Sequence, residues 1–140
     1  MEHTFLAGDA DPLLLPAMAR ETVLRWAGRR AHDLETVTSE LVTNAVRHGF
    51  GPPPGTGYVR LKLTADPPGR YELVVTDPGR SPGEPVMGLP DNDPSPDPDP
   101  DPGVERLRGL VLVDLLTHGL WGHFRNTRHE RVVWAILPPA

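Results

Sequence analysis

A carboxylate and a carboxamide stand four residues apart in the run Glu40-Leu41-Val42-Thr43-Asn44. On a helix, residues at this spacing lie one turn apart on the same side, so both side chains can point into one cleft. A carboxylate can accept a proton from a hydroxyl, and an amide oxygen is a hard ligand that suits Mg²⁺. Acids and amides four apart are also common on solvated helices, so the spacing alone leaves both interpretations open.

A second motif, Asp77-Pro78-Gly79, follows a predicted strand. The carboxylate of Asp77 can accept a hydrogen bond from an exocyclic amine, and Gly79 can let a ligand approach the backbone. The same tripeptide is typical of an ordinary turn with proline at its second position. The motif therefore predicts either a ligand-reading strand end or a simple turn.

A third motif, Arg108-Gly109-Leu110, opens the third predicted helix. The free N–H groups and the dipole at a helix start can receive a phosphate. A solvated helix start would have the same residues, so this signal is also weak by itself. The order of the three motifs along the chain is more informative than any one of them.

In this order the motifs resemble three sequence boxes of one family: the run from Glu40 to Gly49, then Asp77-Pro78-Gly79, then the run from Arg108 to Val113. The chain is identified as a member of the histidine-kinase-like ATPases with the Bergerat fold. It is most similar to the small anti-sigma-factor serine kinases of bacterial partner-switching systems. The resemblance extends from the first helix to Val133-Trp134-Ala135, and the first box is its most specific part.

The resemblance implies a role for each matching residue. Asn44 matches the asparagine that coordinates Mg²⁺ bridging the nucleotide phosphates, and Glu40 matches the acidic residue proposed as general base. Asp77 matches the aspartate that recognises the adenine amino group, accompanied by Gly79. The run Arg108-Gly109-Leu110 matches the loop and helix start on the phosphate side.

The resemblance also implies cofactors, partners and a lid. With ATP and Mg²⁺ bound, the γ-phosphoryl group would go to a serine of an antagonist protein, largely through positioning and charge neutralisation. The implied protein partners are a sigma factor and an anti-sigma-factor antagonist, and a homodimer is left open. The acidic, Pro-rich stretch at about 80–106 occupies the position of the ATP lid, and its composition predicts that it is mobile.

Two positions depart from the family pattern. Leu107 stands where the family usually has a glycine near the phosphates, and Val132 stands where it often has a threonine that helps to bind adenine through water. Three hypotheses follow: a Mg-ATP-dependent serine/threonine kinase, an ATP-binding partner switch without phosphoryl transfer, and a protein-binding domain with a vestigial nucleotide site. Glu40 favours the first hypothesis, whereas Leu107 and Val132 favour the second.

The motifs must be positioned by helices and strand pairs that come in blocks along the chain. Such an order favours a two-layer α/β sandwich with a mixed, mostly antiparallel sheet and three helices on one face. The predicted elements are a short edge strand over 4–7, a helix between Asp11 and Gly28, a helix from its cap at Asp33 to its stop at Gly49, hairpin strands over 59–64 and 71–76, a helix over 109–116, and paired strands over 120–124 and 132–137.

Length and charge exclude several classes of function. With 140 residues and 38% hydrophobic content, the chain forms one domain, 1–140, with one modest core. Without the five aspartates between positions 91 and 101, the formal charge rises from -5 to 0, so no basic field favours nucleic acid. The chain has no cysteine for disulfides or thiolate metal sites. It also lacks the run of about 20 apolar residues that a membrane helix needs, which predicts a cytoplasmic protein.

Overall fold

The computed structural model describes residues 1–8, 11–28, 31–49, 56–66, 70–79 and 102–138. It forms two layers, with five strands in one and three helices in the other. In chain order the elements are β1 (Glu2–Leu6), a 3-10 turn (Pro12–Leu14), α1 (Leu15–Ala27), α2 (His32–Gly49), β2 (Tyr58–Asp66), β3 (Arg70–Asp77), α3 (Pro102–Thr117), β4 (Trp121–Arg125) and β5 (Arg131–Leu137).

The five strands form one open sheet in the order β1-β2-β3-β5-β4. The predicted α/β sandwich is confirmed, but the sheet is not mixed, because each strand pair within the described ranges is antiparallel. The chain returns from α3 to the edge strand β4 and then folds back as β5. Strand β5 thus lies between β3 and β4, which keeps these two strands of equal direction from pairing.

The residues that were predicted to start and end α1 and α2 are confirmed only in part. The Asp11 side chain accepts a hydrogen bond from the Leu13 amide (2.9 Å), which caps the 3-10 turn before α1, and Gly28 ends α1 at φ 70°. The prediction that Asp33 caps α2 is wrong. The helix already begins at His32, so Asp33 lies in its first turn. There its carboxylate complements the positive end of the helix dipole.

The third helix begins at Pro102, well before the predicted start at Gly109. Proline favours the first position of a helix, and aspartate is a common residue just before it, so Asp101-Pro102 is itself a start signal. Arg108-Gly109-Leu110 is consequently inside α3, where backbone N–H groups bond to carbonyls four residues back. The prediction that this run opens the helix is wrong. Of the predicted lid, residues 80–101 lie outside the described part of the chain, and 102–106 belong to α3.

The core lies between the helices and one face of the sheet. Alternate residues of β2, β3 and β5 are buried on this face, and α2 packs against all three of these strands. Asp114 of α3 accepts a hydrogen bond from the Trp121 indole Nε1 of β4 (3.0 Å), which ties the third helix to the sheet. No helix in the described ranges is long and apolar enough to cross a membrane. The main core residues are Ala19, Val23, Leu34, Val37, Leu41, Ala45, Val59, Leu61, Leu63, Tyr71, Leu73, Val75, Val113, Val133, Ala135 and Leu137.

Candidate functional site

Asn44 lies near the end of α2 with its side chain buried, at 5% exposure. Among the described residues, its Oδ1 atom accepts no hydrogen bond. A buried amide oxygen without a donor costs about 1–3 kcal/mol, so this atom is suited to a ligand that the described residues do not supply. An amide oxygen of this kind fits a hard cation such as Mg²⁺.

Glu40 lies one turn before Asn44 and is half-buried. It also lines a groove of about 370 Å³ over α1 and α2, together with Arg20, whose Nη1 atom donates to Ser39 Oγ (2.9 Å). Burial raises the pKa of the Glu40 carboxyl above its ordinary value, and the charge of Arg47 partly offsets this effect. A carboxylate with a raised pKa is a stronger proton acceptor, as a general base requires.

The predicted base-reading residue, Asp77, ends β3 and is 1% exposed. Its Oδ1 atom accepts a hydrogen bond from the Gly79 amide (2.7 Å), which forms a tight turn through Pro78. Gly79 has a φ of 65°, and a Cβ atom there would collide with Arg125 Nη1 and the His129 carbonyl. Packing against the β4–β5 hairpin therefore explains why residue 79 is a glycine. That Gly79 also lets a ligand approach the backbone stays a prediction.

Arg131 is a residue of this region that the sequence analysis missed. The register of β3 and β5 places it directly opposite Asp77, and its side chain is 1% exposed. Arg131 is in phase with Val133 and the other helix-facing residues of β5, and this alternation could have predicted its orientation. Val132 instead lies opposite Thr76, on the sheet face away from the helices. The prediction that Val132 occupies the adenine-side position of β5 is therefore wrong.

A second arginine, Arg125, lies beside Arg131 on the edge strand β4. It lies opposite Arg131 in the β4–β5 register. Its Nη1 atom donates to the carbonyl of Gly79 (2.7 Å) and to that of His129 (3.2 Å). One acidic residue and two arginines thus occupy opposed positions on three neighbouring strands at one end of the sheet.

The structure describes only part of the run Arg108-Gly109-Leu110, which is predicted to lie beside the nucleotide phosphates. Leu110 is buried in α3, at 2% exposure, whereas the side chains of Arg108, Gly109 and Leu107 lie outside the described residues. Glu40 and Asn44 thus lie one turn apart on α2, whereas Asp77 is hydrogen-bonded to Gly79 and stands opposite Arg131 in the sheet. In the described ranges no three acidic or histidine side chains gather into a metal site.

A polar cluster lies at the same end of the sheet, formed by Tyr58, Arg60, Asn126 and Glu130. The Glu130 carboxylate accepts hydrogen bonds from the Tyr58 hydroxyl and from Asn126 Nδ2 (3.0 Å), and Arg60 Nη2 lies 3.6 Å away. These hydrogen bonds hold the pKa of Glu130 below its ordinary value. Burial, followed by the hydrogen bond and charge of Glu130, raises the pKa of Tyr58 to about 12.

Several solved structures are similar to this chain. The histidine kinase domain of the Erythrobacter litoralis EL346 blue-light activated histidine kinase is 19% identical, with a TM-score of 0.45; the match covers 94% of this chain and 66% of that one. The mycobacterial sensor histidine kinase MprB is 18% identical, with a TM-score of 0.46 and coverages of 92% and 96%. A second structure of the EL346 kinase is covered over only 40% of its length.

No curated protein matches the chain. The model of the histidine kinase-like ATPase domain, by contrast, matches residues 13–137, which include α1, α2, α3 and strands β2 to β5. The matched residues include Glu40, Asn44, Asp77, Arg125 and Arg131. The chain belongs to the histidine kinase-like ATPase domain family.

Proposed function

We propose that the chain is a Mg-ATP-dependent serine/threonine protein kinase that regulates a sigma factor by phosphorylating an anti-sigma-factor antagonist. Membership of an ATPase domain family implies ATP binding. The observation that carries the proposal is the pair on α2: a buried Asn44 Oδ1 without a donor among the described residues, one turn from the half-buried Glu40. The sigma factor and its antagonist are the partners that the sequence resemblance implies.

Each residue of the site has a distinct task in this proposal. Asn44 would hold Mg²⁺, which when bound neutralises the charge of the nucleotide phosphates. Asp77 would accept a hydrogen bond from the adenine amine. As the serine oxygen bonds to the γ-phosphorus and the bond from that phosphorus to the ADP oxygen breaks, Glu40 would accept the hydroxyl proton.

An ATP-binding partner switch without phosphoryl transfer is the second candidate. One observation favours it: α3 begins at Pro102, so the amides of Arg108-Gly109-Leu110 are inside a helix. Amides in a helix interior are already bonded to carbonyls and cannot cradle a phosphate. In this candidate, nucleotide occupancy alone would decide which protein partner is bound.

Calorimetric titration with ATP, with Mg²⁺ and with EDTA, tests the cation site. We expect the wild type to bind ATP more tightly with Mg²⁺, and Asn44→Ala to lose this dependence because the variant lacks the amide oxygen. Thr43→Ala, which changes the neighbouring half-buried residue, is the matched control and should retain it. An unchanged Mg²⁺ effect in Asn44→Ala would exclude Asn44 from the metal shell.

Transfer of label from γ-labelled ATP separates the two candidates. The acceptors are anti-sigma-factor antagonists encoded in the source genome, purified and tested singly. We expect acid-stable phosphoserine on one of them, and none with the Glu40→Gln variant. ATP binding with no labelled acceptor would favour the partner switch, and absence of ATP binding would contradict both candidates.

A further inference from the structure

We infer that Arg131 recognises the nucleobase directly, by donating a hydrogen bond to a ring nitrogen next to the amine that Asp77 accepts. This inference rests on the proposed function and adds a specificity-determining residue to the same site. The purine class that fits such a pair carries an exocyclic amine at C6 flanked by acceptor nitrogens, as adenine does.

Asp77 and Arg131 lie next to each other on neighbouring strands. Asp77 and Arg131 are directly opposed across β3 and β5, and each is 1% exposed. Cβ atoms of directly opposed residues in an antiparallel pair lie about 4.5–5.5 Å apart and point to the same face. That face is the one covered by the helices, since Val75 and Val133, the next opposed pair in phase, belong to the core. A base bound against Asp77 therefore also meets Arg131.

Asp77 and Arg131 have side chains of opposite charge. A guanidinium group stays ionised at any pH at which the protein folds, and burying it is costly unless an opposite charge lies close. Asp77 is the carboxylate at the opposed position, whereas the other cross-strand neighbour, Arg125, carries a positive charge. The pair of Asp77 and Arg131 thus supplies a negative acceptor and a positive donor side by side.

The side chains of Asp77 and Arg131 also differ in hydrogen-bonding capacity, since one only accepts and the other only donates. An ionised carboxylate has about four lone-pair sites, so Asp77 can accept from the Gly79 amide and from Arg131 and still accept from an amine. A guanidinium has five N–H donors in a planar fork, and one carboxylate engages at most two of them. The remaining donors suit an acceptor nitrogen of the base. The two side chains are therefore complementary to a donor next to an acceptor.

A purely structural Arg131 would neutralise Asp77 without contacting the base, and ATP analogues distinguish the two roles. In 1-deaza-ATP and 7-deaza-ATP, a C–H group replaces one of the two acceptor nitrogens that flank the amine. Calorimetry would measure Mg²⁺-bound ATP and both analogues with the full-length wild type and with Arg131→Thr. Val132→Thr is the matched control, because the neighbouring residue faces the other side of the sheet.

We expect the wild type to bind one of the two analogues roughly 10- to 100-fold more weakly than ATP, as expected for the loss of a hydrogen bond to a charged donor. This penalty should vanish in Arg131→Thr and persist in Val132→Thr. Because Arg131 is buried, circular dichroism and thermal unfolding would first show whether Arg131→Thr is folded. Arg131→Lys, which keeps a charged donor, should retain part of the penalty.

The outcomes separate this inference from the function on which it rests. If the wild type binds ATP and both analogues equally, Arg131 does not contact the base and the inference fails, while ATP binding stands. The wild-type comparison gives this result even if the variants do not fold. A penalty that persists unchanged in a folded Arg131→Thr also overturns it, since another donor must then be responsible. If the wild type binds no nucleotide, the proposed function fails and the inference fails with it.

Discussion

Glu40 of α2 and Glu130 beside β5 are both glutamates withdrawn from bulk water, yet their surroundings act on them in opposite directions. Burial without a compensating partner of equal strength raises the pKa of Glu40. Hydrogen bonds from Tyr58 and Asn126 lower that of Glu130. The ionised form is therefore disfavoured at one position and favoured at the other.

This contrast indicates how the chain separates reactivity from stability. A carboxylate whose charge is poorly satisfied binds a proton readily, which is useful in a base but costs folding free energy. A carboxylate whose charge is satisfied stabilises the fold and has little tendency to react. The helix layer carries the first kind and the sheet carries the second, so substitution of each glutamate should affect a different property.

The largest expected effect is on phosphoryl transfer by Glu40→Gln. A carboxamide cannot accept the hydroxyl proton, so the single-turnover rate should fall by about 10²- to 10⁴-fold while ATP affinity stays nearly constant. Rapid-quench kinetics with labelled ATP would measure it. Glu35→Gln, which changes another acid lining the same groove, is the control and should remain active. An equal loss in both variants would contradict the assignment of Glu40.

The next effect is on stability, through Glu130→Gln. The amide removes the charge that Arg60 faces and weakens the hydrogen bonds from Tyr58 and Asn126, so the free energy of unfolding should fall by about 2–3 kcal/mol. Urea denaturation at neutral pH would measure this fall. Glu72→Gln, at an exposed position of β3, should stay within about 0.5 kcal/mol of the wild type.

The stability difference at Glu130 should also depend on pH. Because the folded-state pKa is lowered, the wild type's advantage over Glu130→Gln is fully present above the carboxyl pKa of the unfolded chain. It is lost as the pH falls through the folded-state pKa. A difference independent of pH would mean that packing, not charge, accounts for the loss.

A smaller effect should follow from Tyr58→Phe, which removes one donor and leaves the ring in place. The free energy of unfolding should fall by about 1–2 kcal/mol, and the pKa of Glu130 should rise toward its ordinary value. Carboxyl titration by NMR would measure the pKa change. In a double-mutant cycle with Glu130→Gln the two losses should not add, and full additivity would show that the pair is not coupled.

The smallest effect is the stability change in Glu40→Gln, and its sign sharpens the contrast. The raised pKa means that the ionised carboxylate is disfavoured in the folded state, so the neutral amide should stabilise the chain by at most about 1 kcal/mol at neutral pH. This gain should shrink as the pH falls through the folded-state pKa, because the wild-type carboxyl then becomes neutral too. Thermal unfolding at neutral pH and at a pH below the folded-state pKa would measure this gain. A clear loss of stability in Glu40→Gln at neutral pH would contradict the contrast between the two glutamates.

Much of the fold could be predicted from local patterns. The spacing of Leu34, Val37 and Leu41 predicts α2, and the alternation over 59–64 and 71–76 predicts the hairpin of β2 and β3; both are confirmed. The start of α3 was missed although Val104, Leu107 and Val111 recur at helical spacings of three and four. Proline and glycine at 102–103 resemble the preceding Pro-rich stretch, although a proline also fits the first position of a helix.

The site could be predicted only where its residues are close in sequence. Glu40 and Asn44 share one helix, so their spacing carries the information. Arg131 was overlooked because charged residues are rarely buried, and only the register with Asp77 explains this exception. The bond between Tyr58 and Glu130 joins residues far apart in the chain, so it depends on strand order that local patterns do not contain.

The hydrogen bond from the Trp121 indole to Asp114 gives the protein a built-in optical reporter. Indole emission responds to the polarity and charge around the ring, and this indole is anchored to the helix that directly follows residues 80–101. A shift of α3 relative to β4 would change the environment of Trp121. Ultraviolet fluorescence of the unlabelled protein can therefore follow that helix in real time, with Trp121→Phe identifying the contribution of this residue against Trp26 and Trp134.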